Sequence, residues 1–183
     1  MILLAFGTEM SVMECEMDAD AKILPEIDPK AFWGAIGCRA VGVAIVTTIG
    51  EVGPFGFLGL SATHLTANPP TVTVSIDRNT TACAEILASG VFAINYLAKP
   101  GLPIFERFAS RDGPKGSARF AGLALRTLAT GAPVLPDIAG VLDCRLVEAI
   151  ERHGVVIAIG RIAAFESFKD AEPLIHYQGR VMA

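Results

Sequence analysis

The segment VGVAIVTTIGEVGPFGFLGLSA, residues 41–62, predicts two β-strands joined by a tight turn. Val41–Ile49 is dense in β-branched residues and is short enough to be a buried strand. Gly50–Gly53 has the composition of a turn, and Pro54–Ala62 then returns as the second strand of a hairpin. The hairpin predicts an antiparallel sheet in this half of the chain.

Further strands follow, up to the C-terminal end of the chain. We predict them over residues 71–77, 91–97, 123–128, 141–151, 155–168 and 173–177. The break at Arg152–Gly154 is short enough to join its two neighbouring strands as a second antiparallel hairpin. Before that break, Leu142 and Cys144 alternate with Asp143, which predicts one buried and one exposed face.

The sequence predicts three short helices. The first begins at Asp28-Pro29, where an N-cap residue precedes a proline, and runs to about Arg39. We expect it to bury Phe32, Trp33 and Ile36. The second ends at Ala88 before Gly90, and the third covers Ile104–Ala109. Many strands, short loops and few helices predict a mainly β fold, an antiparallel β-barrel capped by helices.

Composition limits the class of protein. The chain has 183 residues, of which 52% are apolar, enough for one domain with a sizeable core. Residues 1–30 carry seven acids and two bases, so we predict that residues 1–27 form an acidic flexible tail and residues 28–183 the domain. The net charge of −4 argues against nucleic acid or an anionic membrane surface as a partner.

No segment predicts a membrane span or a secretory signal. The longest charge-free stretch, residues 52–76, is interrupted by prolines, and the N-terminus lacks a basic region. We therefore expect a cytoplasmic protein. The four cysteines lie far apart without a C-x-x-C pair, which favours buried thiols in a reducing compartment over metal or disulfide use. They are Cys15, Cys38, Cys83 and Cys144.

Several motifs imitate known sites without completing them. Gly53, Gly56 and Gly59 lack the G-x-G-x-x-G spacing of a dinucleotide loop, so we expect them to permit close backbone approach in a bent strand. Ser61 lacks the second glycine and the helix of a nucleophile elbow. The three histidines have no distinguishing context, so we predict neither a catalytic side chain nor a metal site. They are His64, His153 and His176.

The segment SIDRNTT, residues 75–81, carries a clearer signal. It runs from the end of a strand into the N-terminus of a helix, where free N–H groups and the helix dipole favour an anion. Threonine hydroxyls and the Arg78 fork add donors that suit a phosphate. In the alternative interpretation, Asn79 or Thr80 only caps the helix and Arg78 is solvated. Both interpretations remain open.

An ordered set of segments resembles a known family. GVAIVTT, GFLGLSATHLTANPPTVTVSIDRNTTACAEILASGVFAIN, FERFA and PLIHYQGR occur in this order. Together they resemble the short-chain flavin reductase family, the FMN-binding split barrel found in reductase components of two-component monooxygenases. The resemblance covers about residues 31–180. It implies a split barrel that binds FMN or FAD at a homodimer interface, uses NADH or NADPH, and supplies an oxygenase component.

The resemblance also implies the flavin-binding residues. One strand and its following loop would contact the ring and the ribityl chain, and a second segment would meet the phosphate. The implied residues are Leu60, Ser61, Ala62, Thr63, Ser75, Asp77, Arg78, Asn79, Thr80, Thr81, Arg107 and Phe108. The cofactor itself would carry the hydride chemistry.

The chain departs from the family pattern at several positions. Leu58 and Leu60 stand where the family has threonine and serine, and Asn68 replaces an aspartate. Ala82 replaces a threonine, and Val155 aligns with a histidine on the nicotinamide side. We expect a flavin-dependent NAD(P)H oxidoreductase. A flavin-binding electron carrier without enzyme activity is the alternative, and an interaction module without a cofactor is a third class.

Overall fold

The computed structural model describes residues 26–182, so nearly all of the predicted acidic tail lies outside the described residues. The helices are α1 (Pro29–Ile36), α2 (Thr81–Ser89) and α3 (Leu102–Ala109), with 3₁₀ turns at Lys99–Gly101 and Gly116–Phe120. The strands are β1 (Val41–Gly42), β2 (Ala44–Gly50), β3 (Gly53–Leu58), β4 (Thr63–Ala67), β5 (Pro70–Asp77), β6 (Val91–Leu97), β7 (Arg126–Thr127), β8 (Pro133–Val134), β9 (Ile138–Arg152), β10 (Val155–Ser167), β11 (Ile175–Tyr177) and β12 (Arg180–Met182).

The main sheet is a barrel with one open seam. Its seven strands pair antiparallel in the order β3-β2-β6-β9-β10-β5-β4, so the two edge strands are consecutive in the chain. A flat sheet of this size would hold its edges about 29 Å apart. The chain from Leu58 to Thr63 spans at most about 18 Å. The sheet must therefore curl until its edges face each other, and this confirms the predicted antiparallel split barrel.

Both predicted hairpins are present. Ile45 lies opposite Leu58 in β2 and β3, and Arg152 lies opposite Val155 in β9 and β10. The second turn has positive φ at His153 (51°) and at Gly154 (77°), the geometry that matches the twist of a two-residue hairpin.

β2 is buried on both faces because it separates two core clusters. Val43, just before it, and Ile45 belong to one cluster, and Ala44 and Val46 belong to the other. This explains the continuous apolar run that predicted the strand. A Cβ on Gly59 would lie 2.5 Å from Val46 Cγ2, so the expected close approach at this glycine is confirmed.

A buried polar network crosses the first core cluster. Asn95 Nδ2 donates to Ile45 O (3.2 Å) and to Thr47 Oγ1 (3.0 Å), while Leu135 N–H donates to Asn95 Oδ1 (2.9 Å). Because every polar atom of the amide is paired, the asparagine fixes how the loop before β9 packs on the barrel.

The prediction for α1 was wrong in two respects. The helix ends at Ile36 rather than Arg39, and none of its residues is buried. Trp33 is 67% exposed and Phe32 is 48% exposed. The sequence pattern identified an apolar face, but no other element of residues 26–182 covers it.

Other differences have local causes. The second strand was predicted to reach Ala62, but β3 ends at Leu58 and residues 59–62 form a linker. The chain leaves the strand here because Gly59 N–H donates to Ala44 O at 2.8 Å. Asp143 was expected on an exposed face but is fully buried, since Thr130 donates both its N–H and its hydroxyl to the carboxylate. Only two residues of 123–128 are strand.

Cysteine burial was predicted correctly at two positions. Cys83 and Cys144 are buried, but Cys38 is exposed in the turn after α1, so its expected burial was wrong. Cys15 lies outside the described residues. No helix within residues 26–182 is long and apolar enough to cross a membrane.

Candidate functional site

Two cavities open near the linker that joins the edge strands. The first, the cap cavity, has a volume of about 270 Å³ and is lined by Phe55, Gly56, Phe57, Asn79, Thr80, Thr81, Ala82, Lys115, Gly116 and Arg119. The second, the tyrosine cavity, has a volume of about 230 Å³ and is lined by Arg39, Val41, Gly42, Leu60, Ser61, Ala62, Thr63 and Tyr96. Seven of the predicted site residues line one or other cavity.

The cap cavity lies at the N-terminus of α2. Thr80 is the N-cap: its Oγ1 accepts the Cys83 N–H (3.3 Å) and donates to Asp77 O (2.8 Å). Asp77 Oδ1 accepts the Asn79 N–H at 2.9 Å. The capping interpretation of Thr80 is therefore correct. The first turn of the helix nevertheless presents N–H groups that have no partner inside the helix, and it does so beside Thr81.

A basic loop forms the opposite wall of the cap cavity. Arg119 lies in the 3₁₀ turn and Lys115 just before it, and both residues line the space. The Lys115 ammonium also donates to the backbone carbonyls of Ser110 and Arg111. Arg119 Nε donates to Pro114 O at 3.0 Å, and its guanidinium carbon lies 5.4 Å from the Phe108 ring centroid. The wall of the cavity thus contains two cationic residues and a helix N-terminus, an arrangement that attracts an anion.

Arg107 and Phe108 hold this basic loop in place. Arg107 Nη1 donates to Arg119 O (3.2 Å) and to Ala121 O (2.8 Å), so those contacts are to the protein backbone. Phe108 packs edge-to-face on Phe120 with ring centroids 5.3 Å apart. A Cβ on Gly56 would lie 2.8 Å from Val46 O and 3.1 Å from the Phe120 ring, so only glycine fits above this aromatic pair.

Arg78 is not among the residues that line the cap cavity. Its guanidinium pairs with Glu151 of β9, and both side chains are exposed. The backbone N–H of Arg78 donates to Gly154 O at 3.0 Å, which fixes the end of β5 against the second hairpin. The alternative in which Arg78 is only solvated was incomplete, because sequence alone gives no sign of a partner 73 residues away.

The tyrosine cavity lies beside the linker. Ser61 Oγ accepts the Ser75 N–H and donates to Ser75 O, both at 3.1 Å, and so attaches the linker to β5. Tyr96 lines the cavity, and burial raises the pKa of its phenol above the usual value. Sequence reasoning missed Arg39 and Tyr96. The signal that could have identified Arg39 is its place just before the first strand, where a basic side chain can reach the end of the barrel.

The leucine that replaces a family threonine does not obstruct either cavity. Leu58 is half-buried and packs against the first core cluster, outside both cavity linings. Leu60 forms part of the wall of the tyrosine cavity. Val155 pairs with Asp77 across β10 and β5, while His153 is exposed at the hairpin turn.

Comparisons with known proteins agree on one family. Residues 36–183 match the family model described as a flavin reductase like domain. The chain is 30% identical over 154 residues to the FMN reductase (NADH) RutF of Bradyrhizobium diazoefficiens, with 84% of each chain covered. It is 31% identical over 166 residues to the reductase subunit HsaB of a flavin-dependent monooxygenase from Rhodococcus jostii, covering 90% of this chain and 83% of that protein.

A solved structure supports the same grouping. Nitrilotriacetate monooxygenase component B from Mycobacterium thermoresistibile superposes with a TM-score of 0.76 at 26% identity, covering 84% of each chain.

Proposed function

The chain belongs to the flavin reductase-like family, and we propose on this basis that it is an NAD(P)H:flavin oxidoreductase. It transfers a hydride from a nicotinamide to FMN and delivers the reduced flavin to an oxygenase component or another small acceptor. The relatives from Bradyrhizobium diazoefficiens and Ancylobacter novellus are named FMN reductase (NADH), which favours FMN and NADH over FAD and NADPH. The domain that does this is residues 28–183, and residues 1–27 precede it.

The cap cavity is the observation that carries the proposal. A phosphate monoester is a compact dianion, and this cavity offers two cations, the Thr81 hydroxyl and the N-terminus of α2. Arg107 and Phe108 support the site from behind by holding the loop that carries Lys115 and Arg119.

The tyrosine cavity suits the ring. Val41, Leu60 and Ala62 give it apolar walls, and Thr63 and Tyr96 add hydroxyl groups. Phe57 lines the cap cavity and Leu60 lines the tyrosine cavity, and three residues of chain span at most about 11 Å. A ligand with a phosphate at one end and a flat ring at the other matches this pair.

The reaction needs little from the side chains beyond binding. When bound, FMN would supply the redox chemistry as the acceptor of one hydride from NADH, with NAD+ and a reduced flavin of one more negative charge as products. The residues of the chain hold the phosphate, orient the ring and offer hydrogen-bond donors. This is consistent with the prediction that no side chain acts as a catalytic acid or base.

We further propose that the protein is a homodimer that works with an oxygenase. The apolar side chains Phe32, Trp33 and Phe165 are exposed in a single chain, and a second copy would give such surface a partner. The relative from Rhodococcus jostii is named as a monooxygenase reductase subunit, which supports a partner oxygenase here.

Two measurements test the proposal. FMN is titrated into the purified protein while flavin fluorescence and the thermal midpoint are followed, and the loaded protein is then mixed anaerobically with NADH. We expect FMN to bind, to raise the midpoint, and to be bleached within seconds. Binding without bleaching by NADH or NADPH would favour the electron carrier. A thermal midpoint that does not change when FMN is added at high micromolar concentration would favour the module without a cofactor.

A further inference from the structure

The tyrosine cavity contains donors that the protein itself does not use. Among residues 26–182, the Arg39 guanidinium and the hydroxyls of Thr63 and Tyr96 make no side-chain hydrogen bond or ion pair. Ser61 differs, because its hydroxyl is engaged by Ser75. Three residues that line one cavity therefore carry donors without a protein partner.

The backbone around Arg39 is well fixed. Arg39 N–H donates to Ile36 O at 3.2 Å, and Gln178 N–H donates to Gly37 O at 3.1 Å. Val41 then pairs with His176 in β11. The arginine is thus carried on a turn that is held from two sides, at the entrance to β1.

The only formal charge in the lining of the tyrosine cavity is positive. Arg39 is the only ionisable side chain besides the phenol of Tyr96 in its lining, and the lining contains no carboxylate. The remaining walls are apolar or hydroxyl-bearing. A flat group that bears partial or full negative charge along one edge fits this environment better than a cation.

Taking FMN reduction as proposed above, we propose that Arg39 stabilises the negative charge that the flavin ring gains on reduction, with Tyr96 donating a hydrogen bond to the same edge. NADH gives up one hydride and becomes NAD+, and FMN becomes the reduced flavin with one added negative charge. A fixed cation beside that charge strengthens binding of the reduced form more than the oxidised form. Arg39 thereby raises the reduction potential of the bound flavin.

The test compares the affinity for oxidised FMN with that for FMN reduced anaerobically by dithionite, in wild type and in Arg39→Gln. Arg39 is exposed, so solvent weakens its attraction for a negative charge. We therefore expect Arg39→Gln to lower the affinity for reduced FMN only about tenfold. The loss for oxidised FMN should stay below about threefold. The quantity to compare is the ratio of the affinity for reduced FMN to the affinity for oxidised FMN. A tenfold fall in this ratio corresponds to a two-electron midpoint potential about 30 mV lower.

Three further variants sharpen the result. Arg39→Lys keeps the charge, so its ratio of affinities for reduced and oxidised FMN should be close to that of the wild type. Tyr96→Phe should lower it by a smaller factor. Arg161→Gln removes an exposed arginine of β10 that lines neither cavity, and it should leave both affinities unchanged.

The outcomes separate this inference from the proposed function. If wild type binds FMN and is reduced by NADH, but Arg39→Gln weakens both redox forms equally or neither, the role of Arg39 is wrong and the function stands. If wild type binds no FMN, both are wrong. Circular dichroism of each variant checks that the fold is kept.

Discussion

The two cavities differ in how much of their polar chemistry the protein already uses. In the cap cavity, Thr80 caps α2 and Arg119 is held against Pro114 and Phe108. In the tyrosine cavity, Arg39 and Tyr96 have no such side-chain partner among the described residues. The cap cavity is therefore preorganised by the fold, whereas Arg39, Thr63 and Tyr96 of the tyrosine cavity keep their side-chain donors available for a ligand. Preorganisation lowers the entropy lost on binding, and free donors add contacts that can respond to the charge of the ligand.

Cysteine labelling gives the largest expected contrast between the two regions. Cys38 is exposed next to Arg39, and Cys83 is buried in the first turn of α2. Burial raises the pKa of Cys83, and it raises the pKa of Cys144 from 9.0 to about 12. Because the thiolate is the reactive form, Cys144 should react about a thousandfold more slowly at pH 8 than a thiol of pKa 9.0.

The measurement uses iodoacetamide and peptide mass spectrometry in a Cys15→Ser background. We expect fast labelling of Cys38, which FMN slows, and very slow labelling of Cys83 and Cys144, which FMN leaves unchanged. Raising the pH from 8 to 9 should increase the rate at Cys144 about tenfold, because its thiolate fraction rises about tenfold per pH unit below its pKa. Equal rates at all three thiols would contradict the described burial.

Removing the two cations tests the cap cavity as a phosphate site. Lys115→Ala combined with Arg119→Ala should weaken FMN binding by roughly 2–4 kcal/mol. A hydrogen bond to a charged group is worth about 1.5–3 kcal/mol, and Lys115 contributes less because its ammonium already donates to Ser110 O and Arg111 O. Riboflavin lacks the phosphate, so its affinity should hardly change. Isothermal titration with both ligands gives the comparison. An equal loss for riboflavin would place the phosphate elsewhere.

Gly56→Ala tests whether the cap cavity depends on its aromatic support. The new Cβ would lie 2.8 Å from Val46 O, so we expect overpacking that costs about 1–3 kcal/mol of the free energy of unfolding. Gly34→Ala is the matched control, because its Cβ meets nothing within 4 Å. It should be neutral or stabilising by about 0.5–1 kcal/mol in a helix. Urea denaturation measures both, and equal stabilities would contradict the tight packing.

The smallest expected effect concerns the exposed pair of Arg78 and Glu151. Glu151→Gln removes the partner of Arg78, and an exposed ion pair is worth at most about 1 kcal/mol. If Arg78 also serves the phosphate as the resemblance implies, FMN affinity should rise up to about fivefold in this variant. The same substitution in an Arg78→Ala background should then have no effect. A gain in both backgrounds would rule out Arg78 as the cause.

The sequence predicted those parts of the fold whose burial follows from short segments. β2 and β6 are short, mostly apolar and buried on both faces, so their composition alone identified them. β4 was missed because all five of its residues are exposed and show no alternation. The burial of Phe32 and Trp33 was predicted wrongly, since an apolar face does not reveal what covers it.

The candidate site could be predicted only where its residues are neighbours in sequence. Asn79, Thr80 and Thr81 line the cap cavity because a helix N-terminus is a local feature. Lys115 and Arg119 reach the same cavity through tertiary packing, which no local pattern encodes. The roles of Arg78, Asp77, Ser75 and Phe108 toward a ligand stay predictions.

The open seam between β3 and β4 has a mechanical consequence. Within residues 26–182 no ladder of hydrogen bonds joins these two strands. The linker connects them, Ser61 bonds the linker to β5, and Phe57 packs against the second core cluster. The softest deformation of the barrel is therefore a change in the width of this gap. A change in this width breaks no interstrand hydrogen bond among the described strands, so the paired strands elsewhere can keep their register.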